Sequence, residues 1–426
     1  MIPLSLDEIE ALCPGRFDRA PWAEEATGVQ IDSRLIDEGD LFVGIGDGVD
    51  YLPHAFARGA AAVAIPDQPF HALGALGSEV RARSSARVVG ITGSTGKTST
   101  KDILAALCRP HVPTIAAESG FNNEVGLPLT LCRIEPETEV VIAEMGMRGP
   151  GQIRALCDVA RPEIGVITGI GPVHLELLGS VQNVARAKAE IVGALPPGGV
   201  AVVPHGAPLL ELLLARRDIE IVRFGDGGDV RLERFEAPLL VADVAGTRVE
   251  LEVPFIARHH AQNTLAALGA YRALGLPLDR AGEGAPGIAF SRWRGEEHEL
   301  PGGGLVINDA WNANPVSMRA ALVYLSDVAR GRRTVAVLGE MAELGPEAPR
   351  FHRDVGEAAR EAGVDVLVGV GSALAREYRA DTGAPDVPSA IELVRSMLEP
   401  GDVVLVKASR AAGLERLAEA LVGARV

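Results

Sequence analysis

From Arg87 onward, apolar runs at Val88–Ile91, Val140–Ala143, Ile164–Ile167 and Val200–Val203 alternate with stretches of helical texture. Short β-rich runs separated by helices predict a parallel sheet covered by helices. The pattern changes over residues 230–256, which read as shorter, partly alternating strands, an antiparallel addition on one side of that sheet. A helix is expected from about Ala261 to Leu274. Beyond Phe290 a third unit starts with the turn Pro301–Gly304 and repeats the strand-helix alternation at Leu305–Ile307, Thr334–Leu338, Val364–Val370 and Val403–Val406. That predicts a second, smaller doubly wound domain. Ahead of both, residues 1–86 combine a helix at Leu6–Leu12 with a strand-and-turn region at Val29–Ile45 and end near the polar Arg81-Ala-Arg-Ser-Ser85, read as a linker. The expected fold class is α/β in three domains: a small α/β domain over 1–86, a central parallel sheet with helices over 87–296, and a Rossmann-like domain over 297–426. No repeat, low-complexity tract or coiled-coil heptad interrupts this division.

Composition narrows the picture. At ~100 to 200 residues per domain, 426 residues predict two to four domains with ample cores. The apolar fraction of 47% is ordinary for a soluble globular protein. No stretch reaches the ~18 uncharged apolar residues that span a bilayer, and Met1–Ala20 lacks a basic start followed by an apolar run. Membrane insertion is not expected, and the cytoplasm is the expected location. The 4 cysteines form no CxxC pair or His-rich spacing, which argues against a zinc site or disulfide framework and for reduced core thiols. A net charge of -16 without clustered Lys and Arg argues against a nucleic-acid partner.

The candidate chemistry starts at Ile91-Thr-Gly-Ser-Thr-Gly-Lys-Thr-Ser99, straight after Val88-Val89. Strand, Gly-rich turn and helix start occur together there, and this arrangement holds polyphosphate. Gly93 and Gly96 let the backbone curl so that its N–H groups face an anion at a helix N-terminus. Lys97 can then reach the β- and γ-phosphates and Thr98 can bind Mg2+. The spacing Gly-x-x-Gly-Lys-Thr is shorter than a generic Walker A, because Ile91 stands where that motif has its first Gly. The plain alternative, a Gly/Ser/Thr turn with a solvated lysine, does not explain why all four signals coincide.

Three further residues stand near expected strand ends or on helices. Glu144 closes the run Val140–Ala143 and should lie at the carboxyl edge of the sheet, where it could hold Mg2+ beside Thr98 or merely cap a neighbouring helix. His174 follows another strand end in Thr168-Gly-Ile-Gly-Pro-Val-His174-Leu-Glu176, and a lone His is more often structural or at the surface than a metal ligand or catalytic group. Lys188, in Ala185-Arg-Ala-Lys-Ala-Glu190, could equally be a solvated helix residue.

Taken together, these stretches resemble the Mur ligase family of ATP-dependent amide-forming enzymes of peptidoglycan precursor synthesis, over essentially the whole chain. Four segments point, within the family, to the branch that acts on UDP-N-acetylmuramoyl-tripeptide and D-alanyl-D-alanine: Gly120–Thr130, Ala143–Met147, Gly171–Glu176 and Asn308-Asp-Ala-Trp-Asn-Ala-Asn-Pro-Val-Ser317. The resemblance implies that 1–86 binds the UDP-sugar, 87–296 binds ATP and 297–426 binds D-alanyl-D-alanine, in a monomer. It implies an ATP site of Gly93, Ser94, Thr95, Gly96, Lys97, Thr98 and Ser99 with Asn263, Arg294 and Asp309. Lys97, Glu144, His174 and Lys188 are implied as catalytic. Of the two implied Mg2+ ions, Thr98 and Glu144 would hold the first, and His174 and Lys188 the second, with Lys188 carbamylated.

The same resemblance implies substrate contacts at Ser33 and Arg34 in a uridine motif, at Asn122 and Asn123, and at Ser409 and Arg410 facing the dipeptide carboxylate. The sequence also departs from the family pattern. His260 replaces an Asn expected to reach adenine, Trp311 stands for a Tyr, Ala408 for a Gly, and Val49–His54 replaces the usual Asp-Gly-His near the UDP site. Arg292 competes with Arg294 for the role of the linker arginine. Two rival readings stay open: another ligase of this family, including the folylpolyglutamate synthases that share the short phosphate loop, and a regulatory P-loop ATPase.

Overall fold

The apolar runs of the middle third form the inner strands of a nine-stranded sheet in the computed structural model, which describes residues 1–423. From one edge to the other the strands are Thr247–Glu252, Leu239–Val244, Val230–Glu236, Glu220–Phe224, Val200–Pro204, Ile164–Ile167, Arg87–Thr92, Val140–Glu144 and Thr114–Ala116. Those from Val230–Glu236 to Thr114–Ala116 pair in parallel, and the strands within 230–252 pair antiparallel with one another, as the change in pattern predicts. Both faces are covered. Val88, Val141 and Val203 pack into one core and Val89, Ile142 and Val202 into the other, following the alternation of side chains along a strand. The second core receives Ile103, Leu104 and Leu107 of helix Lys97–Cys108 and Leu265 and Leu268 of helix Arg258–Ala273. Burying each such side chain contributes roughly 1.5 to 3 kcal/mol, which fixes the helix that follows the Gly-rich turn.

The C-terminal unit is a six-stranded sheet ordered Glu296–Leu300, Gly304–Asn308, Val403–Lys407, Thr334–Leu338, Val366–Val370 and Thr382–Ala384. All pairs are parallel except the opening hairpin, turned by Gly302 (φ 88°) and Gly303 (φ 83°). Helix Pro315–Ala329 starts where Asn314 accepts hydrogen bonds from the N–H groups of Val316 and Ser317, with Pro315 in its first turn. Residues 424–426, at the end of the expected third domain, lie outside the described residues. No helix among the described residues is long and apolar enough to cross a membrane.

The N-terminal unit has a four-stranded sheet ordered Gly15–Arg19, Ala62–Pro66, Asp40–Val43 and Gly28–Gln30, and its helix Leu6–Leu12 is started by a capping box of Ser5 and Glu8. One expectation needs correcting here. The polar stretch 81–85 is not a free linker, because helix Pro69–Ala82 runs through its start. Arg81 is buried and donates to the carbonyl of Ala160 at 3.1 Å and to Glu163 at 2.7 Å. The helix lays Leu73, Leu76 and Val80 into the same core as Val88 and Val141. The first unit is therefore welded to the central sheet.

Candidate active site

Strand Arg87–Thr92 passes into helix Lys97–Cys108 through a turn that only glycine permits at two places. At Gly93 (φ 150°) a Cβ would lie 1.9 Å from Thr168 Oγ1, and at Gly96 (φ 78°) it would lie 2.3 Å from Asn263 Oδ1. No side chain caps the helix at Gly96, which leaves the first-turn N–H groups and the positive end of the helix dipole available to an anion. The turn is held from behind: Ser94 Oγ accepts from the Gly171 N–H at 2.9 Å, and the Thr168 hydroxyl donates to the Thr95 carbonyl. Lys97 folds back over the loop, its Nζ 2.9 Å from the Gly93 carbonyl. Ser99 lines the cavity that opens in front of this turn.

Glu144 ends its strand, 1% exposed, with both oxygens engaged: Thr98 Oγ1 donates to Oε2 at 2.8 Å and Asn122 Nδ2 to Oε1 at 2.8 Å. It caps no helix, so that alternative falls. Burial pushes its carboxyl up, but the charges of Lys97 and Arg294 and the two hydrogen bonds outweigh this and hold it below the ordinary carboxylate range. Lys97 is shifted down by burial, with Glu144 opposing and Arg294 reinforcing.

A cavity of about 280 Å³ opens in front of this turn, and its opposite wall comes from the C-terminal unit: Asp309, Trp311, Asn314, Tyr324 and Lys407. The two units are closed on each other. A Cβ at Gly171 would lie 3.0 Å from Val316 Cγ2, and Asn314 Nδ2 makes a long 3.5 Å contact with the Ser94 carbonyl. Asp309 is held by Lys407, itself 1% exposed, whose Nζ lies 2.6 Å from Oδ2 and 2.8 Å from the Asn312 carbonyl. Arg294 lines the cavity with its guanidinium 5.7 Å from the Trp311 ring, and its buried Nε has no partner among the described residues. Arg292 instead is 75% exposed, 3.7 Å from Glu419, and does not line the cavity.

One end of the cavity is flat and neutral. His260 stacks on Phe290 with ring centroids 3.9 Å apart, and burial pushes its pKa well below the usual value. Asn263 and His259 complete that end.

Beside the cavity, rather than in its wall, stand His174 and Lys188. His174 (φ 52°) opens the short helix Leu175–Leu178, and its Nδ1 is bonded to the carboxylate of Glu343 from the C-terminal unit. Lys188 is not solvated. It lies 2% exposed on helix Val181–Ala194, pairs with no carboxylate among the described residues, and burial followed by the charge of Lys97 pushes its amine well below the ordinary lysine range.

Other expected residues are not brought to the cavity. Asn123 is turned into its own loop, its Oδ1 accepting from the N–H groups of Val125 at 3.2 Å and Gly126 at 3.0 Å. Ser33 and Arg34 lie on the N-terminal unit, where Ser33 Oγ is 2.9 Å from His54 Nδ1 and Arg34 pairs with Asp32. The divergent segment 49–54 thus returns a histidine to the motif. Ser409 accepts from the Ala342 N–H at 2.9 Å, and Arg410 pairs with Glu415 while covering the Trp293 ring at 4.6 Å. The sequence reading gave no role to Thr168, Tyr324, Lys407 or Glu343. Thr168 and Lys407 stand at ends of apolar runs, a usable signal, whereas nothing local marks Tyr324 or Glu343.

Comparisons with known proteins agree over the whole chain. Residues 91–271 match the Mur ligase middle domain and residues 293–410 match the Mur ligase, glutamate ligase domain. The UDP-N-acetylmuramoyl-tripeptide--D-alanyl-D-alanine ligase of Mycobacterium bovis is 34% identical, covering 92% of each chain. Among solved structures, MurF from Acinetobacter baumannii superposes with a TM-score of 0.85 at 27% identity, covering 99% of each chain. MurF ligase from Thermotoga maritima in complex with ADP superposes at 0.80 with 26% identity, covering 93% of this chain and 97% of that one.

Proposed function

The chain belongs to the Mur ligase family, and from that premise we propose that it joins D-alanyl-D-alanine to UDP-N-acetylmuramoyl-tripeptide at the expense of ATP, in peptidoglycan precursor synthesis. The observation that carries this reading is the cavity itself: a phosphate-binding turn on one wall faces Asp309, Trp311 and Asn314 of the Asn308–Ser317 segment on the other. The division of labour follows, with 1–86 for the UDP-sugar, 87–296 for ATP and 297–426 for the dipeptide. ATP as the phosphoryl donor suits the cytoplasm.

A carboxylate is a poor electrophile. Transfer of the γ-phosphoryl group of ATP to the terminal carboxylate of the tripeptide makes an acyl phosphate. The dipeptide amine then attacks the carbonyl carbon, the new C–N bond forms, and phosphate leaves with the electrons of the C–O bond. The chain's own residues serve each part. The uncapped N–H groups of the turn and Lys97 hold the β- and γ-phosphates. Arg294, with a free Nε, adds positive charge from the linker. Asn263 and the neutral histidines offer the adenine a flat, uncharged end, and Asp309, pinned by Lys407, accepts from ribose hydroxyls. Closure of the two walls keeps water from the acyl phosphate.

The residues present also fit Mg2+. A hydroxyl at Thr98 joined to an ionised, buried carboxylate at Glu144 is a hard-oxygen donor pair of the kind that shares a magnesium ion with phosphates. His174 and Lys188 are assigned to a second ion. Burial shifts the Lys188 amine toward its neutral, nucleophilic form, which adds to carbon dioxide, forming an N–C bond and releasing a proton, and so turns Lys188 into an anionic oxygen ligand. The ions, when bound, offset charge on the phosphoryl oxygens.

Phosphate release from ATP tests the assignment, with the tripeptide nucleotide and D-alanyl-D-alanine supplied separately and then together. Release is expected only with both, accompanied by a product heavier by the dipeptide. Release without any carboxylate substrate would favour a regulatory ATPase, and acceptance of a single amino acid in place of the dipeptide would favour another ligase of the family.

A further inference from the structure

We propose that Glu343 is a positioning residue for His174, holding the imidazole in one tautomer and orientation only while the C-terminal unit is closed on the central sheet. The proposal rests on the reading of His174 as part of the reaction site.

The two residues come from different sheets. His174 lies beyond the carboxyl end of strand Ile164–Ile167, and Glu343 beyond that of strand Thr334–Leu338. Both hold left-handed backbone without being glycine, His174 at φ 52° and Glu343 at φ 62°. Such conformations persist where the surroundings over-determine them, and here the two meet side chain to side chain. Three contacts fix Glu343. One carboxylate oxygen bonds His174 Nδ1, the other lies 3.4 Å from Arg148 Nε, and its backbone carbonyl accepts the Glu176 N–H at 3.2 Å. At Gly345 (φ 63°) a Cβ would come 3.2 Å from Glu176 Cα, so the turn 341–345 lies directly against the loop that carries His174.

The chemistry of the contact is one-way. An ionised carboxylate only accepts, so the ring must donate from Nδ1, which leaves Nε2 as the nitrogen free to act toward the site. Besides Glu343, Lys97 and Lys188 are the titratable groups whose electrostatics act on the ring. Opening of the two units would carry Glu343 away and leave Nδ1 without its acceptor. Closure then does more than exclude water: it sets the His174 ring.

The test uses long-range 1H–15N NMR of histidine-labelled protein, with His174 assigned by its loss in His174→Gln, with and without the ATP analogue AMP-PNP, alongside steady-state kinetics. In the wild type with the analogue, His174 should be protonated at Nδ1 and bare at Nε2. In Glu343→Ala that signature should be lost, and kcat should fall about 10- to 100-fold, the usual effect of removing an outer partner of a ligand histidine, with the KM for ATP little changed. Glu343→Gln, whose amide oxygen can still accept from Nδ1, should recover part of both. Arg148→Ala, which removes only the exposed clamp, should keep the wild-type tautomer. An unchanged His174 signature in Glu343→Ala, or equal losses of kcat in Arg148→Ala and Glu343→Ala, would overturn the proposal. Wild-type protein unable to join the dipeptide would instead overturn the ligase reading, so the two failures are distinct.

Discussion

Single residues divide sharply in how much the sequence discloses about them. Gly93 and Gly96 were legible from spacing alone, because a phosphate turn needs positive φ and close backbone approach, and the structure finds no room for a Cβ at either. Glu144 was legible as a strand end, whereas its ties to Thr98 and Asn122 were not, since they join segments that only the sheet brings together. Lys188 was least legible: its helix reads like any amphipathic stretch, yet the amine is buried beside Lys97. That burial makes a pH prediction. The native pKa of Lys188 is lowered, while the unfolded chain keeps the proton up to about 10.4. Between those values the unfolded state binds more protons, so stability rises with pH across that window, by up to about 1.4 kcal/mol per pH unit for one group. In carbon-dioxide-free buffer, urea midpoints of the wild type should therefore climb more steeply with alkaline pH than those of Lys188→Met, and parallel curves would deny the buried amine. Restoring bicarbonate addresses the carbamate. Lys188→Ala should lose turnover and regain part of it with added short carboxylic acids, and turnover indifferent to both would remove that ligand.

Elements with strong apolar runs matched their expected places closely: Ile164–Ile167 and Thr334–Leu338 are strands with those bounds. Glu296–Leu300 escaped notice for a physical reason. It is an edge strand reading Glu-Glu-His-Glu-Leu, only its last residue is buried, and no hydrophobic period betrays it. Strand Thr114–Ala116, of 3 residues, likewise sits at an edge, that of the large sheet. The misread linker has a different cause. Its composition is polar, but Arg81 is polar in the service of packing, spanning two elements to reach Ala160 and Glu163. Arg81→Met should cost about 2 kcal/mol, the usual loss for a buried hydrogen bond to a charged group. Arg83→Met, which breaks half-exposed ion pairs with Glu8 and Glu79 and a 3.3 Å hydrogen bond to the Pro3 carbonyl, should cost less, under about 1 kcal/mol. Equal denaturation midpoints for the two variants would show that helix Pro69–Ala82 is not anchored through Arg81.

At the scale of the molecule, the change of texture along the chain announced three units, but not how they meet. The N-terminal unit shares a continuous core with the central sheet, and the C-terminal unit closes over the phosphate turn through residues far apart in sequence, such as His174 and Glu343, 169 positions from each other. Local pattern carries no information about such pairs, which is why the wall formed by Tyr324 and Lys407 was not foreseen. Closure makes one cavity from two sheets, in which a carboxylate is activated by phosphorylation and passed to an amine. The most direct measurement is oxygen transfer. With 18O placed in the terminal carboxylate of the UDP-N-acetylmuramoyl-tripeptide, and ATP and D-alanyl-D-alanine supplied, the account predicts that one labelled oxygen leaves in the inorganic phosphate while the product gains the dipeptide. Phosphate free of label, or label retained wholly in the peptide product, would contradict an acyl phosphate made at this site.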